Sequence, residues 1–174
     1  MLNELKGWFK SGLNPLNYDI GIDKNSIYAG EKSAYLKSKT QVSDEEFGIM
    51  MKEFDAKKYI GQRMKLSGFI KTQNVQHSAA LWMLISDSDG DTLQFDNMSD
   101  RPLIGTKDWA NYSIVLDVPK GSSKISFGLL LQGNGQMWVN QLSFYPVVDK
   151  REKSTNLHPT LPTEPANLSF EEEI

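Results

Sequence analysis

The chain has 174 residues, with 19 Lys and Arg against 22 Asp and Glu and a formal net charge of -3. That length suits one domain with a sizeable core, and the mildly acidic balance argues against a nucleic-acid binder, which needs a basic stripe. There are no cysteines, so disulfides, thiolate chemistry and cysteine-based metal sites are excluded.

The first residues, "MLNELKGWFKSGLNP", contain no apolar run of signal-peptide length. No stretch reaches the roughly 20 apolar residues of a membrane span. A cytoplasmic protein is the expectation. "SAYLKS" (33–38) and "FGIMMKEF" (47–54) predict short strands, with a polar loop between them. "DAKKYIGQR" (55–63) predicts a helical turn closed by Gly61.

"RMKLSGFIKT" (63–72) alternates, with Met64, Leu66 and Ile70 on one face and Arg63, Lys65, Ser67 and Lys71 on the other. This is the pattern of a half-buried antiparallel strand. "NVQHSAA" reads as the loop that follows. "AALWMLIS" (79–86) is apolar on both faces and predicts a central strand. "DSDGD" turns the chain and "TLQFDNM" (92–98) returns.

"YSIVLDVP" (112–119), "KISFGLLLQG" (124–133) and "MWVNQLSFYPV" (137–147) complete the strands, separated by the turns "KGSS" and "NGQ". Regular spacing with Gly-rich turns indicates an all-β, two-sheet antiparallel sandwich with very little helix. Leu66, Ile70, Leu81, Met83, Ile114, Leu116, Ile125, Phe127, Leu129, Leu142 and Phe144 form the expected core. After Tyr145 the composition shifts to Pro and charge. Residues 1–147 are therefore read as the module and 148–174 as an extended polar tail. The basic cluster Lys150, Arg151 and Lys153 in that tail reads as a solvated segment.

"GTKDWANYSIVLDVPKGSSKISFGLLLQGNGQMWVNQLSF" resembles the closing strands of galactose-binding-domain-like modules. The matching residues are Thr106, Trp109, Tyr112, Val118, Pro119, Ile125, Phe127, Gly128, Gly133, Gly135, Trp138, Val139, Leu142 and Phe144. Upstream, "GWFKSG", "YDIGID", "GEKSAYLKS", "YIGQRMKLSGFIKT" and "LWM" fit the same pattern, so the resemblance covers 7–147. It implies a jelly-roll-like sandwich, often carbohydrate-binding, of the kind found alone or beside AraC-type regulators. The family's last strand often carries Asp where this chain has Asn140, which puts a structural cation there in doubt. The family's first strand often reads like "N-L-x-F-E-E" just before "G-W". Here "NLSFEE" stands instead at 167–172. The expectation is that it pairs with a sheet edge, in its own molecule or in a neighbour, and the alternatives are an unpaired tail or the opening of a further module.

Catalytic patterns are lacking. His77 and His158 are the two histidines, and neither has an acid and a nucleophile at recognisable spacing. Asp87, Asp89 and Asp91 read first as turn residues and second as an incomplete cation loop without the closing Glu of an EF-hand. No cofactor or metal is expected, and the chain is read as a non-enzyme.

Sugar binding uses aromatic faces for the C–H side of the ring, and Asp, Asn and Arg for the hydroxyls. Trp82 lies in the core or on the second face of its strand, and Trp8 is placed to cover a rim. Trp109 and Trp138 read as core or edge packing. In "FDNMSDRP", Asp96, Asn97, Asp100 and Arg101 either satisfy one another in a loop or form a polar rim beside Trp82. The candidate ligand site is therefore Trp8, Trp82, Asp96, Asn97, Asp100 and Arg101. Carbohydrate is the leading ligand, and the alternative is a regulatory or scaffold domain that binds a protein. No nucleic acid or membrane partner is expected, and the tail is a candidate route to a homo-oligomer.

Overall fold

The computed structural model of the chain describes residues 7–28, 31–39 and 41–148. The expectations for the 148–174 tail beyond Val148, including "NLSFEE", His158 and the basic cluster, lie outside the described residues. The described strands are β1 (Phe9–Leu13), β2 (Tyr18–Tyr28), β3 (Glu31–Ser38), β4 (Phe47–Asp55), β5 (Arg63–Ser86), β6 (Thr92–Asp96), β7 (Leu103–Asp117), β8 (Lys124–Gln132) and β9 (Gln136–Pro146). Helical structure among the described residues is limited to two single 3-10 turns, Pro15–Asn17 and Lys57–Tyr59. The second of these is the turn expected before Gly61, which takes φ 86°.

All the ladders among the described residues are antiparallel, and β5 belongs to two layers. Its first half, from Arg63, pairs with β9 on one side and β7 on the other. Its second half, Ser78–Ser86, pairs with β8 and β6. The first layer therefore runs β2-β3-β9-β5-β7 and the second β1-β4-β8-β5-β6. Core side chains lie between them, which makes this a two-sheet sandwich.

Of the eleven expected core residues, nine are buried. Leu116 and Phe144 are partly buried and pack against the core at its margin. Phe144 joins an aromatic cluster, with ring centroids 5.4 Å from Phe54, 5.2 Å from Tyr59 and 5.4 Å from Phe127.

The structure corrects two expectations. Residues 73–78 are strand, not loop, so His77 lies in β5 and is exposed. The ladder is irregular here, and neighbouring loops complete its hydrogen bonding. Asn74 N–H donates to Thr106 Oγ1 (3.0 Å) and Gln76 N–H donates to Asn134 O (2.9 Å). The polar sequence hides this strand because its support is main-chain and side-chain hydrogen bonding, which carries no apolar period. β7 also starts at Leu103, well before Tyr112. Register shifts opposite Gly105 and Lys107 break the alternation that would reveal it.

Two close approaches hold the layers in place. A Cβ on Gly128 would sit 1.8 Å from Met50 O, so β4 and β8 come together only because that position is glycine. Gly48 similarly leaves room for the buried Tyr18 ring, whose hydroxyl contacts Glu46 O (3.0 Å) and Gly133 O (2.9 Å).

Gly128→Ala is expected to destabilise the fold by roughly 1–3 kcal/mol or more, because backbone must move to admit the methyl group. Urea unfolding checks this, and a wild-type midpoint would refute it. Burial, followed by the nearby Glu46 charge, pushes the Tyr18 pKa from 10.0 up to about 12. Below pH 10 the phenol is protonated in both states. Between about 10 and 12 only the unfolded chain deprotonates it, so stability falls as pH rises through that window. Tyr18→Phe is expected to remove this part of the alkaline destabilisation, read from melting temperatures between pH 9 and 12.

Candidate functional site

The alternation of β5 decides which way its tryptophan points. Leu81, Met83 and Ile85 face the core with no exposure, so Trp82 and Leu84 face outward from the second sheet. The ladders then place three rows across that outer face. Phe9, Met51, Gly128 and Trp82 are in register across β1, β4, β8 and β5. On one side of them run Ser11, Ile49, Leu130 and Ala80. On the other run Glu53, Ser126, Leu84 and Phe95, the last from β6.

The result is an apolar, partly aromatic sheet face. Phe9 and Phe95 stand 44% and 49% exposed at its two margins, while Trp82 is only 7% exposed. The indole leans over β8, donating from Nε1 to Leu129 O at 3.2 Å. That bond fixes the ring orientation and satisfies the buried N–H. One border carries the Glu53–Lys124 ion pair, 3.5 Å apart. Phe9 and Phe95 escaped the sequence reading. A period-two count of β8 and β4 against Trp82 would have pointed to the face, but β1 is too short to show a period.

The polar loop after β6 sits at the same edge. Met83 pairs with Asp96, the last residue of the ladder, so Asn97 follows one step further, toward the level of Trp82. The loop satisfies most of its own polar groups, with Arg101 Nε left buried and without a hydrogen-bond partner. Asp96 Oδ1 accepts from Met98 N–H (2.9 Å) and Asn97 Oδ1 accepts from Ser99 N–H (3.1 Å). Met98 takes φ 59°, is fully buried, and its sulfur accepts from Leu81 N–H at 3.4 Å.

Arg101 closes the loop by pairing both acids, through Nη2 to Asp96 Oδ2 (2.7 Å) and Nη1 to Asp100 Oδ1 (2.6 Å). Burial alone would lower the Arg101 pKa, but the hydrogen bonds and charges of Asp96 and Asp100 hold it above the ordinary guanidinium value. The Asp96 pair is largely sheltered, at 18% side-chain exposure, whereas Asp100 is 79% exposed.

Trp8 is not brought to this face. It lies on the core side, buried, with its ring centroid 6.0 Å from Phe127 and Lys52 Nζ 5.7 Å away. Trp138 and Trp109 lie on the outer side of the first sheet. Trp138 donates to Asp23 Oδ2 at 3.0 Å, and Trp109 stacks on Tyr28 at 5.2 Å.

Elsewhere, His77 has Ser78 Oγ 3.3 Å from Nδ1. Carboxylate oxygens of Asp87, Asp89 and Asp91 lie within 4.8 Å of one another. Asp87 Oδ1 accepts from the Asp89 and Asp91 N–H groups, both at 2.9 Å, which is the work of a turn. No helix among the described residues is long and apolar enough to cross a membrane.

No protein-family model matches the chain. The uncharacterized HTH-type transcriptional regulator YbfP of Bacillus subtilis is 50% identical over 177 residues, covering all of this chain. The chain spans 59% of that relative's length. Among solved structures, the CBM22-1 xylan-binding domain from Paenibacillus barcinonensis Xyn10C superposes with a TM-score of 0.59 at 14% identity, over 83% of this chain and 88% of its own. The TmCBM61 structure with β-1,4-galactotriose gives 0.52 at 14% identity, over 83% and 92%. The enzymatically active domain of bacteriophage CBA120 tailspike protein 4 gives 0.60 at 13% identity, over 83% of this chain and 20% of that one.

Arg101→Ala is expected to cost roughly 1–3 kcal/mol, since it leaves the sheltered Asp96 without its cationic partner. Asp100→Ala is expected to cost well under 1 kcal/mol, because its carboxylate faces water. Denaturant melts of the two variants test the ranking, and equal losses would contradict it. At these identities the structural likeness establishes the fold alone: the chain has a two-sheet antiparallel β-sandwich like that of these carbohydrate-binding modules.

Proposed function

We propose that this chain is a non-catalytic module that binds carbohydrate on the outer face of its second sheet and serves a transcriptional regulator. The observation that carries the reading is the row Phe9–Met51–Gly128–Trp82, an apolar floor with aromatic margins on an exposed sheet face. A sugar ring lays its C–H side on such a surface, and a few polar groups at the border set its orientation. Here those groups are Asn97 and the Asp96–Arg101–Asp100 loop, with Glu53 and Lys124 as further candidates. Arg101 offers a hydroxyl a donor by releasing Asp100, the exposed partner, while keeping Asp96. The regulator role rests on the similarity to YbfP, and the sugar role on the fold shared with modules described as xylan-binding or solved with galactotriose.

A second reading has its own support. Phe9, Phe95 and the neighbouring Ile49, Met51, Leu84 and Leu130 form a continuous apolar band, which also suits a protein partner in a regulatory assembly.

A glycan array probed with the full chain is expected to show selective retention. Phe95→Ala and Trp82→Phe are expected to weaken the best hit about tenfold or more, equivalent to about 1.4 kcal/mol. Their far-UV circular dichroism should remain that of the wild type. A folded chain that retains no glycan, yet changes sedimentation behaviour on Phe95→Asp, would replace the sugar reading with the protein-partner one.

A further inference from the structure

The apolar band on the outer face of the second sheet runs across the strands, not along them. Along β4, Glu53 and Asp55 follow Met51 on the outward side, and along β8, Lys124 lies beyond Ser126 and Gly128. Charge therefore cuts the band off in the strand direction. Across the strands it continues through all five, from Phe9 on β1 to Phe95 on β6. Both end rings are exposed, whereas Ala80, Trp82 and Gly128 between them are buried. The band is low in the middle and carries an aromatic ring at each end.

Spacing sets the size of what fits. Four inter-strand steps of about 4.8 Å separate β1 from β6, and Phe95 is offset by two residues from the Phe9 row, so the two rings stand about 20 Å apart in a flat sheet. That is several times the width of one pyranose ring, so a single sugar unit covers one end and never both. Charge sets the class. The carboxylates bordering the band are Glu53, Asp55, Asp96 and Asp100, and the cations are Lys124 and Arg101. Lys124 is 3.5 Å from Glu53, and Arg101 holds both Asp96 and Asp100. An acidic sugar at this border meets more negative than positive charge, and each cation already has its acid.

We infer that the occupant of this face is an extended, neutral oligosaccharide lying across the strands, with one ring on Phe9, another on Phe95 and the rings between them over the Trp82 row. The inference rests on the sugar reading above and adds to it the length, direction and charge of the bound chain. Phe9 and Phe95 each offer a ring face to the C–H side of a pyranose. Trp82, held by its bond to Leu129 O, is floor and not a projecting platform. The two end rings act as linked weak sites. Once one sugar unit is held, a unit further along the same chain reaches the second ring at high effective concentration, so affinity grows with chain length until both are covered.

Titration calorimetry of the full chain with xylo-, cello- and β-1,4-galacto-oligosaccharides, each from mono- to hexasaccharide, tests this. In the series that binds, affinity is expected to rise at least tenfold from the disaccharide to the pentasaccharide and then level off. Phe9→Ala and Phe95→Ala are each expected to lower hexasaccharide affinity about tenfold, and to change disaccharide affinity by no more than about threefold. Without any variant, the hexasaccharide is expected to shift the ring NMR signals of both phenylalanines in one titration. The uronate-bearing counterpart of the same chain, oxidised at its primary hydroxyls or substituted with glucuronate, is expected to bind at least tenfold more weakly. Affinity that does not change with length, a loss confined to one of the two variants, or a uronate chain that binds as tightly would overturn the inference and leave the sugar reading standing. Retention of none of these sugars, and of none on a glycan array, would remove the sugar reading and this inference with it.

Discussion

Everything in this molecule depends on one strand that belongs to both sheets. β5 runs for 24 residues from Arg63 to Ser86, and halfway along it passes from the first layer to the second. The passage works because the strand is irregular there. Asn74 adopts a left-handed backbone at φ 52°, and the register against β7 shifts three times between Ile70 and Ala79. Gly135, at φ 140°, comes so close that a Cβ would lie 2.7 Å from the Val75 Cα. Once β5 is bent in this way, β9 and β8 are fixed as the central partners of the two layers. Which side chains face the core then follows from alternation alone.

That constraint produces the candidate site as well as the core. With Leu81 and Met83 turned inward, Trp82 has nowhere to go but the outer face. There the indole N–H finds the Leu129 carbonyl of β8. Glycine at 128, needed because β4 approaches so closely, leaves the Trp82 row without a side chain between Met51 and the indole. A packing requirement of the sandwich thus clears the middle of the apolar floor. The polar loop after β6 reaches the same edge because Met98 is driven into the core, which pins Asp96 and Asn97 on one side of it and Arg101 on the other.

The two outer faces are chemically distinct. The outer side of the second sheet carries Phe9, Met51, Ile49, Leu130 and Trp82, whereas that of the first mixes buried Ser and Asn side chains with Phe69, Trp109 and Trp138. Small hydroxyl and amide side chains bond one another across a ladder, as Asn111 and Ser67 do.

Sequence alone determined the all-β class, the strands with clean alternation and the part of the core that those strands carry, nine of whose eleven expected residues are buried. Each of those follows from local period and side-chain polarity. It also contained the Asp96–Arg101 cluster, because acids and an arginine five residues apart in a turn are within reach of one another. Tertiary structure alone decided that Trp8 packs on the core side and Trp82 on the outer side of the second sheet, where it too is buried, that β5 is continuous through a polar stretch, and that Phe9 and Phe95 stand at the two margins of the tryptophan's face. These depend on which strands become neighbours. A residue on β1 and another on β6 share a face only after β4, β8 and β5 have paired between them, and no local pattern records that order.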